Sequence, residues 1–440
     1  MPPASLPNIL WIFSDQHRGS AMSCAGDPNI ETPHLDRLAA GGTRFTNAYT
    51  TCPLCAPFRA TLYTGQYVHT HGVTSLFRPL LPHQPELAEV LHEHGYHTSH
   101  MGKWHLSGGD CPCHYVSPYF RPGWDDWLGW ENSNDFFKTT YSVGDHPHPV
   151  RTLDGYQTDA ITDLTIEWLR HRPKGEPWFH VMSFEPPHSI NTQLSPGDPY
   201  VAPPTYMKAF ADKPLTLPPN FAADHPRADF FEQCTRGYYA EISNMDDNIG
   251  RILAALEEAG QLDSTLIFYF SDHGDMMGSH GAMQKCRPEE ESANIPLIVH
   301  WPGMVPAGRV ADGLIGAVDF MPTLLGLLGV PVPDTVQGSD LSGLLTGATD
   351  IGDDATIIQQ DGIFYPPRPE SCFRAIRSGQ WLYTVYLTRG PSQLFDLGRD
   401  PFELENLIDA PEHVDTRGRL HTQLKERLEE IGDDFLDRCE

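Results

Sequence analysis

The stretch Asn8-Ile9-Leu10-Trp11-Ile12-Phe13-Ser14-Asp15-Gln16 contains the pattern from which the fold can be predicted. Residues 9–13 are continuously apolar, as is typical of a strand buried on both faces of a sheet. Polar residues begin directly after this apolar run. Ligands of open α/β sheets bind beyond the carboxyl ends of the strands, so Asp15 and Gln16 are candidates for a functional site.

Two later apolar runs end in the same way. Residues 178–184 are followed by Glu185-Pro186-Pro187-His188, and residues 266–270 are followed by Ser271-Asp272-His273. Segments with helical periodicity separate the runs, and a further strand is expected at 296–300. This alternation predicts an α/β fold with a mostly parallel sheet covered by helices on both faces. Such a sheet would bring the polar ends to one edge, although the sequence leaves the strand order open.

The last part of the chain has a different pattern. A Gly- and Asp-rich segment around 346–354 marks a junction. Several short strands followed by one charged helix from Val414 predict a small α+β subdomain with an antiparallel sheet. We expect its strands at 356–360, 373–377, 381–386 and 393–396. The expected domains are a catalytic domain over 1–350 and this C-terminal subdomain over 351–440. Long irregular segments are expected at 107–149 and 189–228.

The overall composition narrows the class of function. The 440 residues carry a formal net charge of −28, which disfavours binding to nucleic acid or to an anionic membrane surface. Any anionic substrate must therefore be met by a locally positive pocket. Nine irregularly spaced cysteines do not resemble a disulfide framework. The first apolar run is too short for a signal peptide and no run is long enough for a membrane span, so we expect a soluble cytoplasmic protein.

A second stretch, Cys55-Ala56-Pro57-Phe58-Arg59, contains a candidate nucleophile. A helix-compatible run starts here and ends at Gly65. A nucleophile at a helix N-terminus with an arginine one turn later suits attack on an oxyanion ester, because the helix dipole and the guanidinium both hold negative charge. Cys52 and Cys55 also form a Cys-x-x-Cys pair, which leaves a redox pair or half of a zinc site as alternatives.

Asp15, Gln16, Asp272 and His273 form a candidate metal site. Two carboxylates, an amide oxygen and an imidazole suit a hard divalent cation such as Ca²⁺ or Mg²⁺, and the nitrogen also allows Mn²⁺. Taken singly, Asp15 could cap a helix and His273 could be an ordinary loop histidine. Their joint position after two buried strands favours the metal site.

Lys103, His105 and Lys285 are candidates for charge neutralisation and proton transfer. Lys103 and His105 lie two residues apart after a short strand at 97–101, so an extended backbone would point both to one side. Beside an oxyanion they could hold charge and move protons. The alternative is a solvated lysine and a buried, hydrogen-bonded histidine. Lys285 could complete a positive pocket, although on its own it is only a surface lysine.

Segments along the chain resemble, in order, the signature motifs of the sulfatase family. They are Asn8 to Gln16, Cys55 to Gly65, Gly102-Lys103-Trp104-His105-Leu106, Glu185-Pro186-Pro187-His188, Ser271 to Gly278 with Lys285, Asp319 to Leu325, and Leu394 to Glu403. Together they extend from about residue 7 to about residue 410. A match of this many motifs in family order is highly specific.

The resemblance implies an alkaline-phosphatase-like core with a smaller C-terminal subdomain, and an enzyme that hydrolyses small anionic sulfate esters. A separate maturation enzyme would convert Cys55 to formylglycine, whose hydrate would attack sulfur and form a covalent sulfo-enzyme intermediate. One divalent cation, with Ca²⁺ preferred over Mg²⁺ or Mn²⁺, would complete the site. Its ligands would be Asp15, Gln16, Cys55, Asp272 and His273.

The same resemblance gives a role to each remaining polar residue. Arg59 and Lys103 would bind the sulfuryl oxygens together with the cation. His188 and Lys285 would protonate or stabilise the departing alcohol oxygen. His105 would take the proton from the second hydroxyl of the hydrate, so that sulfate leaves and the aldehyde is restored.

Some positions depart from the common family pattern. Phe58 stands where many sulfatases have serine, and Gln16 and His273 replace Asp and Asn. The last two exchanges resemble phosphonate monoester hydrolases of the same superfamily, so a phosphonate or phosphate ester hydrolase is the alternative function. A non-catalytic binding protein that kept the fold is a third hypothesis, and it predicts an unmodified Cys55 and no metal. The alcohol part of the substrate and the oligomeric state stay open.

Overall fold

The structure, a computed structural model, describes residues 6–109, 113–172, 175–190, 197–362 and 368–439. The strands are β1 (Asn8–Ser14), β2 (Thr43–Phe45), β3 (Ala48–Tyr49), β4 (His97–Lys103), β5 (Asp126–Trp130), β6 (Thr140–Val143), β7 (Arg151–Thr152), β8 (Trp178–Ser183), β9 (Thr265–Ser271), β10 (Leu297–His300), β11 (Arg309–Ala311), β12 (Ile315–Gly316), β13 (Ala355–Gln360), β14 (Phe373–Ser378), β15 (Trp381–Tyr386) and β16 (Gly390–Asp396). The α-helices are α1 (Pro33–Gly41), α2 (Cys55–Thr64), α3 (Val68–His71), α4 (Leu87–Glu93), α5 (Gln157–His171), α6 (Pro204–Phe210), α7 (Ala228–Glu258), α8 (Glu290–Ala293), α9 (Phe320–Leu328), α10 (Ser342–Leu345) and α11 (Val414–Ile431).

A ten-stranded sheet forms the centre of the fold, with the strand order β11-β2-β10-β9-β1-β8-β4-β5-β6-β7. Strand β1 lies between β8 and β9 and is parallel to both, and β4 is parallel to β8. The carboxyl ends of these four neighbours therefore meet at one edge, which confirms the predicted α/β architecture. Strand β10 is antiparallel to β9, so the sheet is mixed rather than purely parallel.

Two apolar layers cover the central sheet, one on each face. Successive side chains of a strand point to opposite faces, so Ile9, Trp11 and Phe13 pack in one layer while Leu10 and Ile12 pack in the other. Helices α2 and α9 contribute to the first layer, and α1, α5 and α7 contribute to the second. Burial on both faces explains why β1 is continuously apolar in sequence.

The C-terminal part forms a separate four-stranded antiparallel sheet in the order β13-β14-β15-β16, as the sequence predicted. Helix α11 packs against it through Leu420, Leu424 and Leu428, which lie one turn apart on the same face and are buried. The domain boundary at residue 350 stays a prediction.

Two predictions about irregular segments are wrong in part. Strands β5 and β6 lie within 107–149, where we expected only long loops, and α6 lies within 189–228. Strand β5 is parallel to β4, and Trp127 stacks on the ring of His100 with a centroid separation of 4.7 Å. Packing against a neighbouring strand stabilises this segment despite its Gly- and Asp-rich sequence, a tertiary effect that local propensity does not contain.

Two further findings concern the predicted environment of the protein. Within the ranges given above, no helix combines the length and apolar character needed to cross a membrane. The described cysteines are free thiols, and Cys111 lies outside the described residues.

Gly102, next to the candidate residue Lys103, is required by the backbone of β4. Its φ is +120°, and a Cβ added there would lie 2.0 Å from the carbonyl oxygen of Ser183. We expect Gly102→Ala to lower the free energy of unfolding by about 2–4 kcal/mol, because it adds both strain and a clash with backbone. Urea unfolding followed by circular dichroism measures this loss.

Gly95→Ala is the matched control for that substitution. Gly95 also has a positive φ of +86°, but no atom lies within 4 Å of its added Cβ. We expect this variant to lose only about 1 kcal/mol, the cost of a left-handed backbone at a non-glycine residue. If both variants lost the same free energy of unfolding, the close approach of β4 to β8 would not contribute to the cost of the Gly102 substitution.

Candidate active site

Helix α2 places Cys55 and Arg59 at the carboxyl edge of the central sheet. Cys55 is its first residue, and all of its residues are buried. The helix ends at Gly65, whose φ of +64° lies in the left-handed region that glycine tolerates. Arg59 follows Cys55 by about one turn, so both side chains lie on the same side of the helix. The helix dipole favours negative charge next to Cys55.

The ends of β1 and β9 bring the two candidate carboxylates together. The strands are in register from Asn8↔Thr265 to Ser14↔Ser271, so Asp15 and Asp272 follow at equivalent positions. The backbone N–H of Gln16 donates to Asp272 Oδ1 at 2.9 Å, which holds the two loops against each other. Ligand atoms of Asp15, Cys55, Asp272 and His273 all lie within 4.8 Å of one another, and all four residues are buried.

Two buried oxygens in this group fit the coordination of a cation. The Nε2 of Gln16 donates to Tyr200 Oη and to Asp275 Oδ2, which fixes the amide and leaves Oε1 without a hydrogen-bond partner. Asp272 Oδ2 is also buried without a hydrogen bond. Unsatisfied buried oxygens are costly, and a hard cation would satisfy both.

His273 supplies a nitrogen lone pair to the same group. Its Nδ1 lies 3.0 Å from Gly274 O, a contact that requires the proton on Nδ1. Burial lowers the pKa of His273 well below its usual range, so the ring is neutral and Nε2 carries a lone pair. This atom lies 3.5 Å from Asp272 Oδ1 and 3.6 Å from Asp15 Oδ1. Acceptors facing one another in this way are complementary to a positive ion.

Three cationic side chains surround Asp15. Its Oδ2 lies 2.9 Å from Lys103 Nζ and 3.3 Å from Arg59 Nη2, and its Oδ1 lies 3.9 Å from Lys285 Nζ. Burial opposes ionisation, but neighbouring positive charges, led by Lys103, hold the pKa of Asp15 well below its usual range. Burial and the negative charge of Asp15 instead raise the pKa of Asp272 to about 7. Three buried or nearly buried cationic groups are thus collected at this site in a strongly acidic protein.

Arg59 is fixed in one orientation. Its Nη1 donates to Lys103 O at 2.7 Å and to Ser183 Oγ at 2.8 Å, and the guanidinium lies 4.8 Å from the centre of the Phe13 ring. The side chain is fully buried. A preorganised guanidinium of this kind can stabilise charge without reorganising during a reaction.

His188 and Lys285 form a proton-sharing pair next to Cys55. Lys285 Nζ lies 2.7 Å from His188 Nε2 and 3.0 Å from Cys55 Sγ. His188 Nδ1 lies 2.7 Å from Ser189 O, so Nδ1 carries the proton and Nε2 accepts from the ammonium. Burial and the charge of Lys285 lower the pKa of His188, which keeps it neutral.

His105 lies at the same site, but not for the reason that the sequence suggested. Its φ is +63°, so the backbone after β4 is left-handed. The prediction of an extended backbone from Lys103 to His105 is therefore wrong. Lys103 and His105 nevertheless line one cavity. Burial and the charges of Lys103 and Arg59 lower the pKa of His105, and its Nδ1 has no hydrogen-bond partner.

A cavity of about 330 Å³ opens onto this cluster. Of the six residues expected to act in catalysis, all but Arg59 line it. The complete lining is Leu54, Cys55, Leu76, Lys103, His105, Asn132, Asn134, His188, Met283, Gln284, Lys285 and Cys286. The structure therefore brings every predicted site residue into one region, with the candidate cation ligands next to the cavity.

Glu185 and Asp275 belong to the same site, although no role was expected for either from the motifs in which they lie. Glu185 is buried 3.5 Å from Lys103 Nζ, and Asp275 accepts hydrogen bonds from Gln16 and Tyr200. Their positions, within three residues of His188 and His273 in sequence, were a usable signal. Their partners, however, come from distant segments that the sequence does not bring together.

Cys52 is separate from this chemistry. Its Sγ faces Gln360 Oε1 at 3.7 Å, and both Cys52 and Cys55 are free thiols. Cys55, in contrast, has Sγ 3.4 Å from both Asp15 Oδ1 and His273 Nε2. The two cysteines therefore have different surroundings, and they do not form a disulfide with each other.

Two family models match long stretches of the chain. Residues 7–330 match the family model described as Sulfatase, and residues 278–430 match the model described as N-sulphoglucosamine sulphohydrolase, C-terminal. The chain is 34% identical over 438 residues to the ulvan-active sulfatase of Formosa agariphila, an alignment that covers 98% of this chain and 83% of that protein.

Two solved structures extend the comparison. The yidJ protein of Bacteroides fragilis has a TM-score of 0.90 at 27% identity, covering 100% of this chain and 99% of that chain. The phosphonate monoester hydrolase of Agrobacterium radiobacter has a TM-score of 0.77 at 25% identity, covering 97% and 96%.

The family models, the relatives and the fold together place the chain among the ester hydrolases of the alkaline phosphatase superfamily. Within that superfamily the chain belongs to the sulfatase family, and it is a sulfuric ester hydrolase.

Proposed function

We propose that the protein hydrolyses small anionic sulfate esters with a formylglycine at position 55 and one divalent cation, through a covalent sulfo-enzyme intermediate. One observation carries the proposal: Cys55 Sγ lies 3.0 Å from Lys285 Nζ and 3.4 Å from both Asp15 Oδ1 and His273 Nε2. Position 55 is thus between the candidate cation ligands and a proton-carrying pair. A nucleophile must lie at such a position, next to both the cation and the group that protonates the departing oxygen.

The state of the unmodified thiol supports conversion of Cys55. Burial and the charge of Asp15 raise the pKa of the thiol to about 12. A thiol that stays protonated at neutral pH is a weak nucleophile. Conversion of the Cys55 CH₂–SH group to an aldehyde is a two-electron oxidation with loss of sulfur, so it would require a separate maturation enzyme that uses its own oxidant. That enzyme is the protein partner that the proposal implies.

Asp15, Gln16, Asp272 and His273, together with position 55, would hold the cation. When bound, a divalent cation polarises an oxygen of the ester and makes a neighbouring hydroxyl easier to deprotonate. The donor set is dominated by oxygen and favours Ca²⁺, with Mg²⁺ or Mn²⁺ as alternatives. Gln16 Oε1 and Asp272 Oδ2, which are buried without a hydrogen bond, are the structural support for this assignment.

Arg59 and Lys103 would bind and orient the sulfuryl oxygens. Both are buried, and Lys103 Nζ and Arg59 Nη2 converge on Asp15 Oδ2, so their positions are set before substrate arrives. Fixed charges in a buried site stabilise developing negative charge more strongly than charges in water do. Position 55 is the first residue of α2, so the helix dipole also favours negative charge there.

His188 and Lys285 would supply the proton for the departing alcohol oxygen. Lys285 Nζ donates a hydrogen bond to His188 Nε2 at 2.7 Å, and the same Nζ lies 3.0 Å from Cys55 Sγ. His105 would take a proton at the later step, because it is neutral and lacks a partner at Nδ1. Two separate proton carriers allow donation and acceptance in one cycle.

A phosphonate or phosphate ester hydrolase is the second candidate function. Gln16 and His273 favour it, because they depart from the common sulfatase pattern. The chain also resembles the phosphonate monoester hydrolase structure over nearly its whole length. A location in the cytoplasm and the absence of membrane and nucleic-acid partners remain predictions from the sequence.

Turnover of matched esters separates the two functions. We expect kcat/KM for 4-nitrophenyl sulfate to exceed that for 4-nitrophenyl phenylphosphonate by about tenfold or more, a preference of about 1.4 kcal/mol in the transition state. Protein co-produced with a maturation enzyme and loaded with Ca²⁺ should be used for both esters. A preference for the phosphorus ester by the same factor would select the second function.

A further inference from the structure

Gln16 differs from the carboxylates of the candidate cation site, because the two ends of its amide are not equivalent. A carboxylate presents an oxygen to a cation in either orientation, whereas an amide presents an oxygen in one orientation and an –NH₂ group in the other. The –NH₂ group only donates hydrogen bonds, so it turns its hydrogens toward positive charge. The amide must therefore be held in one orientation if Gln16 is to bind a cation.

The backbone of Gln16 is held in a strained conformation. Its φ is +74°, in the left-handed region that non-glycine residues rarely adopt. Its N–H donates to Asp272 Oδ1 at 2.9 Å, and its carbonyl oxygen accepts from Tyr238 Oη at 2.8 Å. Strained backbone persists where the surrounding contacts hold it, and it occurs often at functional sites. These contacts fix the direction in which the side chain leaves the backbone.

Asp275 and Tyr200 hold the far end of the same side chain. Asp275 Oδ2 accepts from Gln16 Nε2 at 2.5 Å and from Tyr200 Oη at 2.6 Å, and Gln16 Nε2 also lies 3.2 Å from Tyr200 Oη. All three residues are buried. A carboxylate only accepts, so turning the amide oxygen toward Asp275 would lose a hydrogen bond and bring two acceptors into contact.

The orientation of Asp275 is itself set by the backbone. Its Oδ1 accepts from the backbone N–H of Met277 at 3.0 Å and of Gln284 at 2.8 Å. Backbone N–H groups cannot become acceptors, so an oxygen is required on this side of position 275. The backbone thus determines which way the Asp275 carboxylate faces, and the carboxylate determines which way the Gln16 amide faces.

We propose that Asp275 and Tyr200 are positioning residues for the cation: they hold the Gln16 amide with Oε1 toward the ion and so determine the affinity of the site. The inference rests on the cation site of the proposed function. It gives a role to two residues outside the candidate ligand set. Substituting a group that orients a metal ligand typically weakens metal binding by about 10–100-fold.

Asp275→Asn tests the inference by reversing the polarity of this contact. The N–H groups of Met277 and Gln284 select the new amide oxygen, which leaves the new –NH₂ group facing Gln16. The Gln16 amide must then turn its oxygen away from the cation to accept from it. We expect the Kd for Ca²⁺ of matured, chelator-treated protein to rise by about 10–100-fold, measured by isothermal titration calorimetry.

A second substitution should restore binding. Gln16→Glu combined with Asp275→Asn keeps the charge of the pair, and the new carboxylate can accept from the new –NH₂ group while its other oxygen faces the cation. We expect the Kd for Ca²⁺ to return to within about threefold of that of the unsubstituted protein. A merely structural role of Asp275 predicts instead that the second substitution adds to the loss.

Asp246→Asn is the matched control for Asp275→Asn. Asp246 is also a buried carboxylate that accepts from two backbone N–H groups, those of His34 at 3.1 Å and Leu35 at 2.8 Å. It makes neither of these contacts with a candidate cation ligand. We expect this variant to lose stability and to keep its Kd for Ca²⁺ within about twofold.

Tyr200→Phe is a milder variant that decides the inference if Asp275→Asn does not fold. It removes one of the two partners of Gln16 Nε2 and leaves the carboxylate in place. We expect the Kd for Ca²⁺ to rise by about threefold or more. Tyr239→Phe is its control, because Tyr239 is equally buried and donates to a different carboxylate, Asp27, at 2.6 Å. Its Kd should stay within about twofold.

The outcomes separate this inference from the proposed function. If the unsubstituted protein binds Ca²⁺ and Asp275→Asn binds it equally well, the inference is wrong and the proposed cation site stands. The same conclusion follows if the double variant binds no better than Asp275→Asn, or if Tyr200→Phe and Tyr239→Phe have equal Kd values. If matured protein binds none of Ca²⁺, Mg²⁺ and Mn²⁺, the proposed cation site and the inference both fail.

Discussion

Cys55→Ala is expected to lower kcat/KM for 4-nitrophenyl sulfate by about 10⁴-fold or more, because it removes the thiol that must be converted to the aldehyde whose hydrate is the proposed nucleophile. The thermal midpoint should change by only a few degrees, since the substitution deletes a single buried atom from a helix start. Turnover of the matured protein and thermal unfolding followed by circular dichroism measure the two effects.

Cys52→Ala is the matched control for this prediction. Cys52 is equally buried and only three residues away, but its Sγ faces Gln360 rather than the charged cluster. We expect it to retain activity within about threefold. If the activity of Cys55→Ala were within tenfold of that of the unsubstituted protein, the proposed role of position 55 would be wrong. An equal loss of activity in Cys52→Ala would also contradict it.

Asp15→Asn is expected to abolish cation binding and to lower turnover by about 10³-fold. The substitution removes a charged ligand and leaves Arg59, Lys103 and Lys285 without the carboxylate that they share. A cation that binds only the folded state raises the thermal midpoint, so chelation should lower the midpoint of the unsubstituted protein. The midpoint of Asp15→Asn should be insensitive to chelator. Elemental analysis of the purified proteins measures the bound cation directly.

Asp433→Asn provides a control for loss of a buried ion pair elsewhere. Asp433 is buried against Arg374, an interaction beside the C-terminal sheet. We expect this variant to be less stable yet to keep both its cation and its response to chelator. Retention of a stoichiometric cation by Asp15→Asn, or loss of it by Asp433→Asn, would overturn the assignment of the metal site.

The strand ends made much of the site predictable. Asp15 and Asp272 each follow a continuously apolar run, and runs buried on both faces of a parallel sheet must end at a common edge. The adjacent positions of β9, β1 and β8 supplied the strand order that the sequence left open. Cys55 was identifiable because a helix start and an arginine one turn later are both local features.

Residues whose role depends on distant partners were not predictable in this way. Glu185 acts through Trp130, Gln157 and the loop at Ser133, which are separated from it by up to 55 residues in sequence. The left-handed backbone of His105 leaves no pattern in the sequence, so its position was expected for a wrong reason. Strand β5 escaped prediction because packing on β4, and not local propensity, stabilises it.

Peptide mass spectrometry across position 55 tests the central claim most directly. Cleavage after Arg44 and Arg59 gives one peptide that contains both Cys52 and Cys55. In protein from its native host that hydrolyses a sulfate ester, we expect alkylation at Cys52 alone. The mass at position 55 should correspond to loss of one sulfur and two hydrogens and gain of one oxygen. Two alkylated cysteines in a fully active preparation would contradict the formylglycine mechanism.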